Sequence, residues 1–262
     1  MKLQTLGQVI RHEELSSKVY YLVLKAPQIA KQATPGQFVQ VKCSDTYQPL
    51  LRKPFSLHEI DKVDGRISLL YEVKGQGTKS LTKVRVDDYL DLIGPLGSGF
   101  SLPPRCRAIL VGGGMGIAPL LPLAEKLKEQ GQEFAAILGF NEVQKVYRLE
   151  AFQKLGQVIV TTLDGSLGEK GLVTQPLERE LGSEKYNIIY ACGPEAMLKN
   201  VSAIADSFGV ECQVSLEAYM ACGFGACLGC VCQTKELTGP TYSRVCTDGP
   251  VFNSREVIWH EG

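Results

Sequence analysis

The stretch Ala108-Ile-Leu-Val111-Gly112-Gly113-Gly114-Met-Gly116-Ile-Ala-Pro119 decides how this chain folds. Four consecutive apolar residues read as a buried strand, the glycines let the backbone turn sharply, and Pro119 followed by Leu-Leu-Pro-Leu-Ala-Glu-Lys-Leu reads as a helix start. A strand, a glycine loop and a helix form the repeating unit of a parallel sheet, whose ligands lie at the carboxyl ends of its strands. The loop is not the G-x-G-x-x-G fingerprint, because Ile117 stands where the last glycine belongs. A bare glycine cluster only turns a chain, but the strand before it and the helix after it favour a phosphate-binding reading.

Downstream, Phe134–Gly139, Val158–Thr162 and Asn187–Ala191 supply further buried strands, with helical stretches expected around 142–154, 174–181 and 194–207. Residues 102–210 are therefore expected to form a parallel α/β sheet with helices on both faces. Cys192, Gly193 and Pro194 fall at the same edge of that sheet as the glycine loop. Taken alone they read as a tight strand-to-helix turn with a buried thiol. The run Thr162-Leu-Asp164-Gly-Ser166-Leu-Gly168 reads either as a border of the nucleotide or as a solvated turn.

Upstream, residues 1–101 read as strands and turns: Val19–Leu24, Gly36–Lys42, Pro54–His58, Arg66–Val73 and Tyr89–Ile93, with one short helix near Lys79–Lys83. Strands at this spacing indicate a closed or nearly closed antiparallel barrel. Arg52-Lys53-Pro54-Phe55-Ser56 sets two cations, a rigid proline, a flat aromatic and a hydroxyl in succession, and Gly75-Gln76-Gly77-Thr78 offers backbone N–H groups at a helix start. Each alone reads equally as a solvated basic pair or a plain turn. Together they suit a nucleotide cofactor with a flat ring and a pyrophosphate.

Residues 211–262 form a third unit, a small C-terminal module. Glu211–Leu216 reads as a strand leading into Cys222-Gly-Phe-Gly-Ala-Cys227-Leu-Gly-Cys230-Val-Cys232, with a further thiol at Cys246. The spacing C-x4-C-x2-C with a distant fourth cysteine is the plant-type pattern for a [2Fe-2S] cluster. Gly223, Gly225, Ala226 and Gly229 leave room for a loop to wrap a compact inorganic core and aim N–H groups at the sulfurs. Structural zinc would show two C-x2-C knuckles or a Cys/His mixture, and no histidine lies between Cys222 and Cys246, which also excludes a Rieske-type centre. The ligands read as Cys222, Cys227, Cys230 and Cys246, with Cys232 a bystander.

The composition bounds the rest. With 262 residues the chain has room for two ordinary domains and a small module, and 28 basic against 28 acidic residues give no net field to attract nucleic acid or an anionic membrane. The N-terminal residues carry acidic groups and no signal-like apolar run, and no stretch reaches membrane-spanning length, so a cytoplasmic protein is expected. The nine cysteines then read as metal ligands and buried thiols rather than disulfides, Cys43 and Cys106 as packing residues. The three histidines, His12, His58 and His260, are scattered and read as structural or surface groups.

Lys53-Pro-Phe-Ser56, Gly75-Gln-Gly-Thr78, Gly112–Pro119 and Cys192-Gly-Pro194 resemble the motifs of the ferredoxin-NADP reductase family over about the first 210 residues. With Tyr219–Cys232 and Val245-Cys-Thr-Asp-Gly-Pro-Val-Phe252, the whole chain resembles the electron-transfer subunits of dihydroorotate dehydrogenase B. The resemblance implies an FAD, a [2Fe-2S] cluster and NAD as substrate. It also implies a partner subunit that carries FMN and oxidises dihydroorotate in pyrimidine biosynthesis, in a heterotetramer of two such chains and two partners. It places Phe55 beside the isoalloxazine, Ser56 near its N5, Leu69, Leu70 and Tyr71 along the flavin, and Gln76, Gly77 and Thr78 at the pyrophosphate. The nicotinamide nucleotide is expected along Gly112–Gly116, with its ring near Cys192. The family's reductase motif has Arg where this chain has Lys53 and Tyr where it has Phe55, so either Arg52 or Lys53 takes the phosphate contact. Phe140-Asn141-Glu142 lacks the arginine that receives a 2'-phosphate, which favours NAD, while Lys145 and Arg148 lie close enough to keep NADP open. Three other assignments remain. One is the small subunit of an NADH-dependent ferredoxin:NADP oxidoreductase, another that of a sulfide dehydrogenase, and the third, from a different class, a redox sensor without catalysis.

Overall fold

The computed structural model describes residues 3–44, 46–236 and 238–259; His260 lies outside them. Six strands close into an antiparallel barrel: β1 (Leu3–Ser16), β2 (Val19–Lys25), β3 (Phe38–Val41), β4 (Lys53–Asp61), β5 (Arg66–Glu72) and β6 (Tyr89–Leu96), in the order β1-β2-β5-β4-β3-β6. Helix α1 (Pro27–Gln32) follows β2, and α2 (Gln76–Leu81) follows β5. Alternation explains the interior, because Val39, Val41, Leu57, Leu69 and Leu92 point inward while their neighbours face out. Strand β1 escapes the sequence pattern because it carries polar groups on both faces, Arg11 and Glu13 on one and Glu14 on the other, yet it pairs with both β2 and β6 and closes the barrel.

The parallel sheet begins with β7 (Arg107–Gly113), followed by a short 3-10 turn over Gly114–Ile117 and α3 (Leu120–Glu129). It continues with β8 (Glu133–Phe140), α4 (Leu149–Gln153), β9 (Gln157–Thr162), the two-residue β10 (Glu169–Lys170), α5 (Thr174–Ser183), β11 (Ile188–Cys192) and α6 (Glu195–Phe208). Both faces are buried, as the apolar runs require. Ala108, Leu110, Ala136 and Leu138 pack under α3, and Ile109, Val111, Ile137 and Ile189 pack with residues of α5 and α6. The helix expected over 142–154 is broken into a 3-10 turn, Val143–Lys145, and α4. Arg148 between them takes a left-handed backbone, φ 59°, and its side chain leaves the helix axis to reach the barrel.

The sheet does not stop at residue 210. Strand β12 (Glu211–Ser215) pairs in parallel with β11, and after the hairpin of β13 (Val231–Glu236) and β14 (Gly239–Arg244) the chain returns as β15 (Val251–Asn253), antiparallel to β12. The full order is β10-β9-β8-β7-β11-β12-β15, so the seam expected at 210/211 runs inside a continuous sheet. One buried cluster contains Phe38 and Leu96 of the barrel, Val111 and Ile189 of the sheet, and Cys230, Val245 and Cys246 of the C-terminal module. Cys43 and Cys106 are buried as expected. Among the described residues no helix is long and apolar enough to cross a membrane.

Candidate cofactor sites

The carboxyl ends of β7, β8, β9 and β11 open onto a cavity of about 830 Å³. Gly113, Gly114, Gly116, Gly193 and Pro194 line it, as the sequence implies, together with Asn141, Lys145 and Thr161. Gly116 is required by close approach: a Cβ there would lie 2.1 Å from the carbonyl oxygen of Cys192. Gly112 does not line the cavity. A side chain there would meet Ile117, Leu120 and Leu138, so this residue brings helix and strand together. Of the stretch Thr162–Gly168, Leu163 reaches the cavity, while Asp164 closes its own turn and its carboxyl is held below its usual value by the Ser166 hydroxyl and N–H. The far wall, Val231–Gln233 of the cysteine hairpin and Val257–Trp259, gave no sequence signal.

A second cavity, about 250 Å³, lies between the barrel and the sheet and is lined by Lys53, Pro54, Phe55, Ser56, Leu70, Tyr71, Thr78 and Cys192. Phe55 reaches it only in part, for its ring packs in the barrel interior with Tyr71, centroids 5.6 Å apart. Leu69 does not reach it. It is fully buried inside the barrel, because consecutive strand residues face opposite sides. Gln76, Gly77 and Arg52 also stand outside both linings. The guanidinium of Arg52 donates to the Asp91 carbonyl at 2.7 Å and pairs with its carboxylate at 2.5 Å. Lys53 instead runs its stem across Gly77, so closely that a Cβ on Gly77 would lie 2.9 Å from the lysine Cε. The Thr78 hydroxyl accepts from the N–H groups of Lys74 and Gly75 and closes the turn before α2.

Glu72, Lys74, Met115, Leu216, Glu217 and Ala218 line both cavities, which therefore meet. Cys192 lines only the smaller cavity, although Gly193 and Pro194 after it line the larger one; it is 2 % exposed, and burial, with the Glu217 carboxylate adding to it, pushes its thiol up to about 12. It stays protonated and acts as a neutral packing group. The residues 216–218 were legible only through β12: once that strand joins the sheet, they follow its carboxyl end.

A buried polar network fixes the glycine loop against the barrel. His58, fully buried, hydrogen-bonds through Nδ1 to the Ala118 carbonyl at 3.1 Å and accepts from the Arg148 Nε–H at 3.1 Å. The Arg148 guanidinium also pairs with Glu59, stands 4.7 Å from the Tyr21 ring centroid, and Glu59 accepts from Tyr21 and Ser68. Burial pushes His58 down to about 4, so it is neutral at pH 7 with its proton on Nδ1. Neither His58 nor Arg148 was legible as part of such a network, because their partners lie far off in sequence.

Of the four expected cluster ligands, Cys230 and Cys246 lie in the shared core, and Cys222 and Cys227 lie in the loop outside it. Cys230 and Cys246 are buried, Cys222 is half-buried and Cys227 exposed. They associate two by two, Cys222 with Cys227 and Cys230 with Cys246. Burial would raise the Cys222 thiol, but N–H groups of Phe224, Cys227 and Ala226 outweigh it and bring the thiol down to about 6. The Gly229 N–H approaches the Cys227 sulfur at 3.4 Å. Thiols with N–H groups aimed at them, and no histidine among them, have the donor chemistry that an iron-sulfur cluster needs. Cys232 points elsewhere and lines the larger cavity.

Three family models match in the order of the three parts: an oxidoreductase FAD-binding domain over residues 7–100, an oxidoreductase NAD-binding domain over 110–203, and the iron-sulfur cluster binding domain of dihydroorotate dehydrogenase B over 217–258. The dihydroorotate dehydrogenase B (NAD(+)) electron transfer subunit of Caldanaerobacter subterraneus subsp. tengcongensis is 41% identical over 99% of this chain and 100% of that protein. This chain belongs to that family. The Fusobacterium nucleatum member is 38% identical over 93% of this chain and 94% of its own length. Among solved structures, the NADH-dependent reduced ferredoxin-NADP oxidoreductase aligns with a TM-score of 0.88 at 30% identity over 97% of this chain and 90% of that one. Ferredoxin-NADP+ reductase from Plasmodium falciparum, at 14% identity and TM-score 0.64 over 80% of this chain and 96% of that one, shares the fold.

Proposed function

We propose that this chain is the electron-transfer subunit of an NAD-dependent dihydroorotate dehydrogenase, taking electrons from a catalytic partner and delivering them to NAD. The observation that carries the reading is that the flavin-sized cavity and the nucleotide cavity share a wall, while Phe38 and Met220, which line the smaller one, pack in the same core cluster as Cys230 and Cys246. When bound, flavin exchanges hydride with nicotinamide and single electrons with a [2Fe-2S] cluster.

In this reading Lys53, rather than the already paired Arg52, faces the FAD pyrophosphate, beside Gly77 and Thr78. Pro54, Ser56, Leu70 and Tyr71 line the ring, and Phe55 and Leu69 support it from inside the barrel. Gly113, Gly114 and Gly116 hold the nucleotide pyrophosphate, with Gly112 as their packing support, and Gly193 and Pro194 hold the nicotinamide end. Cys192 and Met115 exclude water where the two rings meet. Cys222, Cys227, Cys230 and Cys246 hold the cluster. The engagement of Arg148 with Glu59 and His58 removes one of two candidate 2'-phosphate ligands and supports NAD over NADP.

The partner is an FMN-bearing catalytic subunit in a 2+2 heterotetramer, docked on the rim of the cysteine loop, where Tyr219, Phe224, Leu228, Val231 and Tyr242 are exposed. Nine unpaired cysteines suit a reducing compartment such as the cytoplasm. The likeness to the ferredoxin-NADP oxidoreductase supports a second reading as that enzyme's small subunit, but at 30% identity against 41% it is the weaker match. Anaerobic addition of NADH to the isolated holo-chain is expected to bleach its flavin absorbance faster than NADPH does. A flavin-loaded chain that neither nucleotide reduces would contradict the reading.

A further inference from the structure

Gln40 occupies the middle of β3, flanked by Val39 and Val41, which fill the barrel interior. Alternation puts Phe38 and Gln40 on the outer face, where Phe38 lines the smaller cavity opposite Ser56 and Gln40 lies opposite Pro54, another lining residue. The side chain of Gln40 is fully buried, and neither Oε1 nor Nε2 has a hydrogen-bond partner. Leaving a buried amide unpaired forfeits its hydration without return, so a strand position that needed only packing would be better served by leucine or methionine.

What the amide faces is the cysteine loop. A Cβ built on Gly223 would stand 2.5 Å from Gln40 Nε2, 2.6 Å from Cγ and 2.9 Å from Cδ, and Gly223 takes φ +76°. The loop is bare beside Cys222 because the glutamine side chain lies against it. Four features coincide: complete burial, two unsatisfied polar atoms, contact with the residue next to a cluster ligand, and a place on the same sheet face as Pro54 and Ser56.

Resting on the assignment of Cys222, Cys227, Cys230 and Cys246 as cluster ligands, we propose that Gln40 is a positioning residue of the barrel for the iron-sulfur centre. Its Nε2–H donates to a sulfur on the Cys222 side of the bound cluster and so tunes the cluster's reduction potential from the flavin-binding domain. A hydrogen bond to sulfur favours the more negative, reduced form, so the native glutamine raises the potential. No bond is made or broken and no electron is consumed by the residue.

The test is an EPR-monitored redox titration of the isolated holo-chain, without partner or substrate, for wild type, Gln40→Leu and Gln40→Glu. The leucine variant is expected to keep the cluster but to shift its reduction equilibrium about tenfold towards the oxidised form, ~59 mV more negative for one electron. The glutamate variant is expected to make the potential pH-dependent, close to wild type when the carboxyl is protonated and can donate, and lower when it is not. If the leucine variant fails to hold the cluster, the glutamate variant decides by the same titration. An unchanged potential in a cluster-loaded variant overturns the role of Gln40 and leaves the ligand assignment standing. A wild-type chain with no cluster signal overturns both.

Discussion

Gly116→Ala is the smallest change that separates the nucleotide site from the rest of the molecule. The added Cβ would lie 2.1 Å from the Cys192 oxygen, 2.4 Å from its carbonyl carbon and 2.6 Å from the Gly193 nitrogen, and all three are backbone atoms at the end of β11. No rotamer relieves such contacts. Ordinary van der Waals contact begins at 3.4 Å, so the loop must retreat from β11 by about 1 Å. The same loop carries Gly113 and Gly114 of the nucleotide cavity and Met115 of the junction, so the retreat displaces the nicotinamide from the flavin. A misplacement of ~1 Å costs ~10²-fold in a positioned reaction. The assay is stopped-flow bleaching of flavin by NADH in purified holo-chain, with flavin and iron contents matched to wild type. The expected result is a rate ~10²-fold lower with both cofactors retained. A variant within about threefold of wild type would refute the claim that this loop's approach to Cys192 sets the hydride-transfer geometry.

Other expectations follow from the same contacts. Cys227→Ser should eliminate the cluster's EPR signal and transfer to the partner while NADH still bleaches the flavin; a cluster-free variant with full coupled activity would contradict the assignment. Lys53→Ala should weaken FAD retention measured by dialysis, whereas Arg52→Ala should retain FAD and lower stability by ~1–2 kcal/mol in denaturant titration, because it takes away the cation paired with Asp91 and leaves that carboxylate only the Gln4 amide; the reverse pattern would return the phosphate contact to Arg52. The buried His58 makes stability pH-dependent. Its folded pKa, about 4, lies below the ordinary 6.5, so between these values the unfolded chain binds a proton that the fold refuses, and stability rises with pH across that window. From pH 7 to pH 5 His58 should therefore withdraw of order 1–2 kcal/mol, while Glu125, whose carboxyl burial pushes up to about 7, works in the opposite direction over the same window; the stability of His58→Gln relative to wild type should improve by of order 1–2 kcal/mol on going from pH 7 to pH 5, and a difference that does not change with pH would remove His58 as a cause.

Much of this architecture was legible because its signals are local. The apolar run Ala108–Val111 could only be a strand buried on both faces, the glycines after it mark the ligand edge, and the cysteine spacing names its own cofactor. What stayed hidden depends on pairing across long separations. Strand β1 reads as mixed because it carries polar groups on both faces. The motif resemblance assigns Leu69 and Leu70 alike, although the period of a strand puts adjacent residues on opposite faces. Nothing local distinguishes Arg52 from Lys53, and only the position of Asp91 across the barrel decides which cation is already paired. The wall formed by Leu216–Ala218 and Val257–Trp259 became visible only when β12 and β15 joined the sheet.

The central claim is that this chain carries electrons from dihydroorotate oxidation to NAD. Its most direct test is dihydroorotate-dependent formation of NADH by the complex that co-purifies with the chain, measured by absorbance and repeated after the chain is removed and added back. The account requires activity that disappears with the chain and returns with it. An intact flavin- and iron-loaded complex that forms no NADH from dihydroorotate would contradict it and move the chain to the ferredoxin-linked reading.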